Sequence, residues 1–244
     1  MTIYNEKNEE ELGKTAALYG AAAIKRAISQ KGYARIILAT GASQFSMLAN
    51  LVKMDIPWDK VTMFHLDEYC DLPITHKASF RKYLQERFVD YTHPQRVYFI
   101  DGEGDAIENI KILTDALREE PIDVAFIGIG ENGHIAFNDP PADFKTREAY
   151  ILVNLNDDCK RQQVNEGWFR SIDEVPSRAI SMTVYQIMQS KTIICTVPGI
   201  RKARAVKATL EAKDPTPLVP ASILNHHKDC YLILDEDSAS LISV

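Results

Sequence analysis

The stretch IDVAFIGIGENGHIAFNDP, from Ile122 to Pro140, decides the fold and points to the functional site. Its first half is an apolar run of the kind found in a strand that is buried on both faces of a parallel sheet. Three glycines then follow within six residues, at positions 128, 130 and 133. Glycines that directly follow a strong strand indicate a backbone that another group approaches closely. We therefore predict a central strand that ends in a tightly packed loop.

The same alternation of short apolar runs and amphipathic stretches extends along the chain in both directions. Further strands are predicted at YARIILA (33–39), VTMFHLD (61–67), RVYFI (96–100), KTIICTVPG (191–199) and DCYLILD (229–235). Helices are predicted at 9–29, 44–54, 79–89, 106–119, 158–169 and 200–210. Because strands joined by crossover helices pair in parallel, we predict a doubly wound α/β fold, Rossmann-like, with a mainly parallel sheet and helices on both faces. Residues 1–244 are expected to form a single domain.

The composition indicates a cytoplasmic protein that does not bind an extended nucleic acid. A net charge of -6 argues against an extended nucleic-acid partner but allows a small anionic ligand. The four cysteines have no metal-ligand spacing and are typical of reduced thiols in a cytoplasmic protein. The N-terminus is acidic and polar, unlike a secretory signal, and no apolar stretch reaches the length of about 20 residues that spans a bilayer.

Four segments follow predicted strands and are therefore expected to meet. In open α/β sheets, ligands bind outside the carboxyl ends of the strands. The segments at those ends are 40–43, 67–69, 128–138 and 198–202. We expect all four to line one crevice.

Residues in each segment have two interpretations, one functional and one purely structural. The turn Thr40, Gly41, Ala42, Ser43 offers backbone and hydroxyl donors to an anion, or is an ordinary turn capped by Ser43. Asp67 is a candidate general base, or caps a solvated turn. His134 is a candidate for proton transfer, or a surface donor. Lys202 is the best placed of several cations to reach an anionic ligand, although such cations also form solvated faces.

Several motifs together resemble the glucosamine-6-phosphate deaminase/isomerase family over nearly the whole chain. They are TGAS (40–43), LDEY (66–69), SFR (79–81), GENGHIAFNDP (130–140), DEVP (173–176) and RKA (201–203). The related 6-phosphogluconolactonases share the fold and a similar glycine–histidine turn, but differ after that histidine and lack the LDEY segment. The pairing of LDEY with GHIAFN therefore favours the deaminases.

The resemblance implies a role for each candidate in an enzyme of amino-sugar catabolism that needs no cofactor and no metal. Asp67 matches the base that moves a proton from C2 to C1, and His134 matches the residue that assists ring opening. Asn132 and Asp139 flank that histidine as its polar supports. The turn at 40–43, Gly130 and Lys202 match substrate- and phosphate-binding positions. The expected products are fructose 6-phosphate and ammonia.

The chain differs from the family pattern in the helix predicted at 158–169. Relatives place an arginine for the substrate near the position of Glu166, and Arg161 on the same helix is the expected substitute. We predict that residues near 155–172 form a lid-like segment. Because of this difference, galactosamine 6-phosphate is an alternative substrate, while lactone hydrolysis and a non-catalytic sugar-phosphate sensor are alternative functions. The oligomeric state is open between a monomer and a homo-oligomer.

The kinetics are expected to be simple. Allosteric relatives carry serines and basic residues after the histidine loop, where this chain has Ala142, Asp143, Ala149 and Ile151, and they have a longer C-terminal tail. We therefore predict a hyperbolic dependence of the initial rate on glucosamine 6-phosphate concentration. Sigmoidal curves that N-acetylglucosamine 6-phosphate converts to hyperbolic ones would contradict this prediction.

Overall fold

A seven-stranded parallel sheet lies at the centre of the computed structural model, which describes residues 1–243. Its strands are β1 (Thr2–Glu6), β2 (Ala34–Leu38), β3 (Val61–His65), β5 (Arg96–Tyr98), β6 (Val124–Ile127), β9 (Thr192–Val197) and β10 (Cys230–Asp235). Their order is β1-β10-β9-β6-β2-β3-β5, and every neighbouring pair is parallel. The predicted central strand, β6, occupies the middle of this sheet.

Helices cover both faces of the sheet. They are α1 (Glu9–Lys31), α2 (Phe45–Leu51), α3 (Phe80–Leu84), α4 (Asp90–Thr92), α5 (Ala106–Arg118), α6 (Asp157–Asn165), α7 (Val184–Ile187) and α8 (Ala203–Glu211), with a π-helical turn at Gln85–Val89. Side chains of a strand alternate between faces. Accordingly, Ile36 of β2 packs with α1 and α2, whereas Ile37 packs with α5 and α8. The predicted doubly wound α/β fold is confirmed.

A second, three-stranded antiparallel sheet was not predicted from the sequence. It contains β4 (Asp67–Tyr69), β8 (Arg178–Met182) and β7 (Tyr150–Asn154), in the order β4-β8-β7. The prediction of one strand over 61–67 is therefore wrong at its end. The parallel strand stops at His65, and Asp67 begins the antiparallel pairing opposite Ser181. A three-residue strand is too short to show a period, so this change of sheet left no signal in the sequence.

Other predicted boundaries also shift. Strand β1 was missed because it is a polar edge strand that pairs on one side only, with β10. The helix predicted over 158–169 runs instead from Asp157 to Asn165, and Gly167 follows it with a φ of +83°. A positive φ of this kind ends a helix readily when the residue is glycine. Among residues 1–243, no helix combines the length and the apolar character that crossing a bilayer requires.

The packing of α1 on the sheet depends on Gly20, and this contact provides a test of the fold. A Cβ atom at Gly20 would lie 2.2 Å from Cε1 of Phe126. We expect Gly20→Ala to lower the free energy of unfolding by about 1–3 kcal/mol, because overpacking displaces the ring of a central strand. Urea denaturation measures the change. Gly104→Ala is the matched control, since a Cβ there meets no atom within 4 Å, and equal stabilities of the two variants would contradict the prediction.

Candidate active site

A cavity of about 470 Å³ lies at the carboxyl ends of the central strands. The four segments that the sequence predicted to converge do meet there. The residues they contribute to its wall are Thr40, Gly41, Ala42, Ser43, Asp67, Gly128, Ile129, Gly130, His134, Ala136, Phe137, Pro198, Gly199, Ile200, Arg201 and Lys202. Asn132 and Asp139 do not line the cavity but contact His134 from behind. Parallel strands bring these segments together because their ends lie at one edge of the sheet.

Two turns of the same design form one side of the cavity. Gly41 follows β2 with a φ of +94°, and Gly199 follows β9 with a φ of +90°; a 3₁₀ turn comes next in each case. The first turns of helices leave backbone N–H groups without intrahelical partners, which suits them to anions. The hydroxyl of Tyr83 donates to the Gly41 carbonyl at 2.9 Å, and the Gly199 N–H donates to both carboxylate oxygens of Asp235 at 2.9 and 3.0 Å. These contacts hold both turns in place before any ligand binds.

Lys202 brings a positive charge to the same side. Its side chain is largely buried, at 8% exposure, and burial lowers its pKa, while the carboxylates of Glu166 and Glu131 act against that fall. A partly desolvated ammonium beside free N–H groups attracts a multiply charged anion strongly, because solvent screens it little. The predicted position of Lys202 in the cavity wall is therefore the one observed.

Asp67 lines the cavity from β4. Burial and the neighbouring charge of Glu68 raise the pKa of Asp67 to about 8. Its side chain is 7% exposed. A carboxyl group whose pKa lies near neutrality can both accept and return a proton within one catalytic cycle. This property makes Asp67 the strongest candidate for acid–base chemistry in the cavity.

Glu68 has a different role because adjacent residues of a strand point in opposite directions. Its fully buried carboxylate accepts hydrogen bonds from the backbone N–H groups of Tyr69, Phe80 and Arg81, at 2.8 to 3.1 Å. Ser79 Oγ donates to it at 3.0 Å, and the Arg81 guanidinium lies 3.3 Å away. Burial raises the pKa of Glu68, and these hydrogen bonds oppose the rise. Glu68 thereby anchors β4 and fixes the direction in which Asp67 points.

His134 is held through its Nδ1 atom. Oδ1 of Asn132 lies 2.7 Å from Nδ1, and Oδ1 of Asp139 lies 3.2 Å from it. Two acceptors at this atom assign the proton of the neutral ring to Nδ1 and leave Nε2 as the basic nitrogen. Asn132 also donates to Asp139 at 3.0 Å. Burial acts to raise the pKa of Asp139, but its hydrogen bonds and the charge of His134 outweigh burial and hold that pKa below its ordinary value.

Gly130 is required by the position of the imidazole. A Cβ atom at Gly130 would lie 2.2 Å from Cε1 and 2.3 Å from Nε2 of His134. The Gly130 N–H also donates to the His134 carbonyl at 2.9 Å. The glycine-rich loop was predicted to have another group close to its backbone. That group is the imidazole of His134, which belongs to the same loop.

Helix α6 forms the remaining wall, but with different residues from the one predicted. Gln162, Gln163 and Glu166 line the cavity. The side chain of Arg161 is 54% exposed and pairs with Asp158 at 2.7 Å. Arg161 does not line the cavity, so it is not in position to replace an arginine near Glu166. The helix itself was predictable, but its cavity-facing side depends on how it packs against Tyr69 and Phe169.

The chain is similar to known proteins over nearly its whole length. Residues 7–232 match the family model described as glucosamine-6-phosphate isomerases/6-phosphogluconolactonase. A glucosamine-6-phosphate deaminase of Clostridium botulinum (strain Eklund 17B / Type B) is 37% identical, over 100% of this chain and 97% of the relative. One from Halothermothrix orenii is 35% identical, over 99% of this chain and all of the relative.

Solved structures of this family have the same fold as this chain. A monomeric glucosamine-6-phosphate deaminase superposes with a TM-score of 0.90 at 29% identity, covering 99% of this chain and 100% of the other. A 6-phosphogluconolactonase of Thermotoga maritima superposes with a TM-score of 0.79 at 16% identity, covering 96% of this chain and 99% of the other. At that lower identity the lactonase shows a shared fold only.

The contact between Gly130 and His134 generates a test of the histidine's position. We expect Gly130→Ala to displace the imidazole and to lower kcat/KM by about 10²-fold, because a misplacement of about 1 Å in a catalytic group has effects of that size. Imidazole ¹⁵N chemical shifts report whether Nδ1 keeps its hydrogen bonds. Gly104→Ala is the control. Unchanged shifts together with unchanged kcat/KM would show that the ring is not held in this way.

The raised pKa of Asp67 generates a second test, through stability. An unfolded aspartate has a pKa of about 3.9, so the folded protein binds this proton more tightly than the unfolded chain does. The resulting cost to stability is absent below pH 4, grows between pH 4 and about 8, and is complete above pH 8. We expect Asp67→Asn to raise Tm by an amount that increases over this range. Asp115→Asn, at an exposed position of α5, is the control; a Tm difference that does not depend on pH would be the contrary result.

Proposed function

Since the chain belongs to the glucosamine-6-phosphate isomerase/6-phosphogluconolactonase family, we propose that it converts glucosamine 6-phosphate and water to fructose 6-phosphate and ammonia. The observation that carries this proposal is the pairing of two acid–base groups in one cavity. Asp67 and His134 both line it, and the two glycine turns and Lys202 form an anion site beside them. The deaminases that align with the full chain support the choice of reaction.

The phosphate is proposed to bind between the two glycine turns. The backbone N–H groups at 41–43 and 200–201 and the ammonium of Lys202 supply its hydrogen bonds and countercharge, while the Gly199 N–H stays bound to Asp235. Binding of the phosphate at this point would direct the sugar ring toward Asp67 and His134. The binding energy of a remote, non-reacting group is thus used to orient the reacting carbons.

Ring opening is the first proposed step. Nε2 of His134 takes the proton of the anomeric hydroxyl and returns a proton to the ring oxygen, and the C1–O5 bond breaks to give the open-chain aldehyde. The imidazolium formed in passing is stabilised by Asp139, whose carboxylate lies 3.2 Å from Nδ1. Asp139 therefore provides the negative charge that Asn132 lacks.

Isomerisation and deamination follow. Asp67, once ionised, removes the proton from C2 while the C2 ammonium gives a proton to O1, and the C2–H electron pair forms the C1=C2 bond of an enolamine. Asp67 then delivers its proton to C1. The nitrogen at C2 is now a protonated imine. Water adds to C2, its protons pass to the nitrogen, and the C–N bond breaks to leave the C2 ketone and release ammonia as ammonium. The net reaction is hydrolysis of a C–N bond, with no change in overall oxidation state.

Two further expectations belong to this proposal. We infer that residues near 155–172 act as a lid, since α6 contributes one wall of the cavity. We also infer a place in amino-sugar catabolism in the cytoplasm, in keeping with four buried cysteines that form no disulfide.

The proposed reaction predicts how activity depends on Asp67 and on pH. The wild-type protein is expected to release ammonia from glucosamine 6-phosphate, and Asp67→Asn to lower kcat by about 10²- to 10⁴-fold, the usual contribution of a general base. Because Asp67 acts in its ionised form, kcat/KM is expected to rise with pH through an apparent pKa near 8. An ammonia-coupled assay measures both quantities.

The control and the alternatives use the same assay format. Asp115→Asn is expected to behave as wild type, and His134→Gln to lose the ring-opening step while it still binds phosphate-bearing ligands. Galactosamine 6-phosphate and 6-phosphogluconolactone are tested in parallel. Hydrolysis of the lactone without ammonia release would refute the proposal. Ammonia release by Asp67→Asn at the wild-type rate would also refute it.

A further inference from the structure

Gln163 is a buried polar residue of the cavity wall to which the proposed reaction assigns no role. It lies on α6 and is 7% exposed, yet it lines the cavity. Its side chain therefore spans from the interior of the protein to the ligand space. A buried amide needs hydrogen-bond partners at both ends, so the partner at each end defines what Gln163 can do.

The inner end of the amide is held by Tyr69. The Tyr69 hydroxyl lies 2.7 Å from Oε1 of Gln163, and Tyr69 is fully buried. Its ring is packed among those of Phe80, Phe137 and Phe169, with centroid separations of 5.0, 5.3 and 5.5 Å. Packing against these three rings holds the hydroxyl oxygen at one position in the core.

The hydrogen of that hydroxyl decides which way the amide points. Burial raises the pKa of Tyr69 well above its ordinary value, so the hydroxyl keeps its proton and must find an acceptor. Within residues 1–243 that acceptor is Oε1 of Gln163. If the amide were flipped, the hydroxyl would be left buried without an acceptor, which is unfavourable because its proton would have lost water and gained no partner.

The outer end of the amide is then the NH₂ group, which faces the cavity. Among the described residues, no group accepts a hydrogen bond from Nε2 of Gln163. Two N–H donors are thus held in a fixed direction, ready for an oxygen atom of a ligand. Donors that are oriented in advance lose little entropy on binding.

We propose that Gln163 is a specificity-determining residue that donates a hydrogen bond to a hydroxyl oxygen of the sugar, with Tyr69 as the residue that orients it. This inference rests on the proposed function, because it takes a sugar phosphate as the ligand. Gln163 discriminates between sugars that differ in one hydroxyl group. A site whose buried donor is left unpaired by the wrong ligand rejects that ligand strongly, because the donor loses water and gains nothing in return.

Three variants distinguish a role of Gln163 as a hydrogen-bond donor from a role in packing alone. Gln163→Leu keeps most of the volume and removes the donors, whereas Gln163→Glu keeps the shape and replaces the donors with acceptors. Tyr69→Phe keeps the aromatic packing and lets the amide rotate. Asn165→Ala, at an exposed position on the same helix, is the matched control. Tm is recorded for every variant, so that a loss of folding is recognised as such.

The readouts are kcat and KM for ammonia release from glucosamine 6-phosphate and from its 3-deoxy and 4-deoxy analogues, with the Kd of each analogue measured by calorimetry. We expect Gln163→Leu and Gln163→Glu to lower kcat/KM at least tenfold on the parent sugar, and Tyr69→Phe to lower it less. For the analogue that lacks the recognised hydroxyl, wild type and Gln163→Leu are expected to differ less than twofold. Asn165→Ala is expected to match wild type throughout.

Specific results would overturn the role proposed for Gln163. If Gln163→Leu retains wild-type kcat/KM and Kd, or is impaired by the same factor on the parent sugar and on both analogues, the inference is overturned. If the wild-type protein binds the sugars but releases no ammonia, the proposed function fails. The Kd ratios of wild type to Gln163→Leu over the same three ligands then decide the role of Gln163 separately.

Discussion

The buried carboxylate of Glu68 is the interaction on which the arrangement of the site depends. It accepts hydrogen bonds from its own strand and from the start of α3, and it pairs with Arg81. Arg81 in turn reaches Asp101 and Glu103 beyond β5 at 2.8 Å each. A buried charge with this many donors is costly to disturb, because any movement would leave it unpaired in a medium of low dielectric constant. Glu68 therefore holds β4 firmly where the chain passes from the parallel sheet to the antiparallel one.

The direction of Asp67 follows from this anchor. With Glu68 turned inward, Asp67 must point the other way, into the cavity, where burial raises its pKa to about 8. The same burial that destabilises an ionised aspartate makes it a stronger base once the proton has left. The role of base proposed for Asp67 thus opposes stability, as is common where a charged group is kept partly desolvated for catalysis.

The two sides of the cavity have complementary designs. One side is made of backbone: two turns in which Gly41 and Gly199 have positive φ angles, held by Tyr83 and Asp235. The other side is made of side chains that are themselves held by partners, His134 by Asn132 and Asp139, and Gln163 by Tyr69. In both cases a fixed donor or acceptor is prepared before the ligand arrives, which is the condition for precise orientation.

The sequence by itself determined the parallel sheet and the convergence of its strand ends. Long apolar runs and helical periods are local patterns, and the topology they imply brings residues 40–43, 67, 128–134 and 198–202 to one edge. The antiparallel sheet, the inward turn of Glu68 and the cavity-facing side of α6 were decided only by the tertiary structure. Strand β4 is three residues long, and the choice between Arg161 and Gln163 depends on which side of a nine-residue helix packs against Tyr69. Such choices are made by contacts between residues that are distant in sequence, and no local pattern records them.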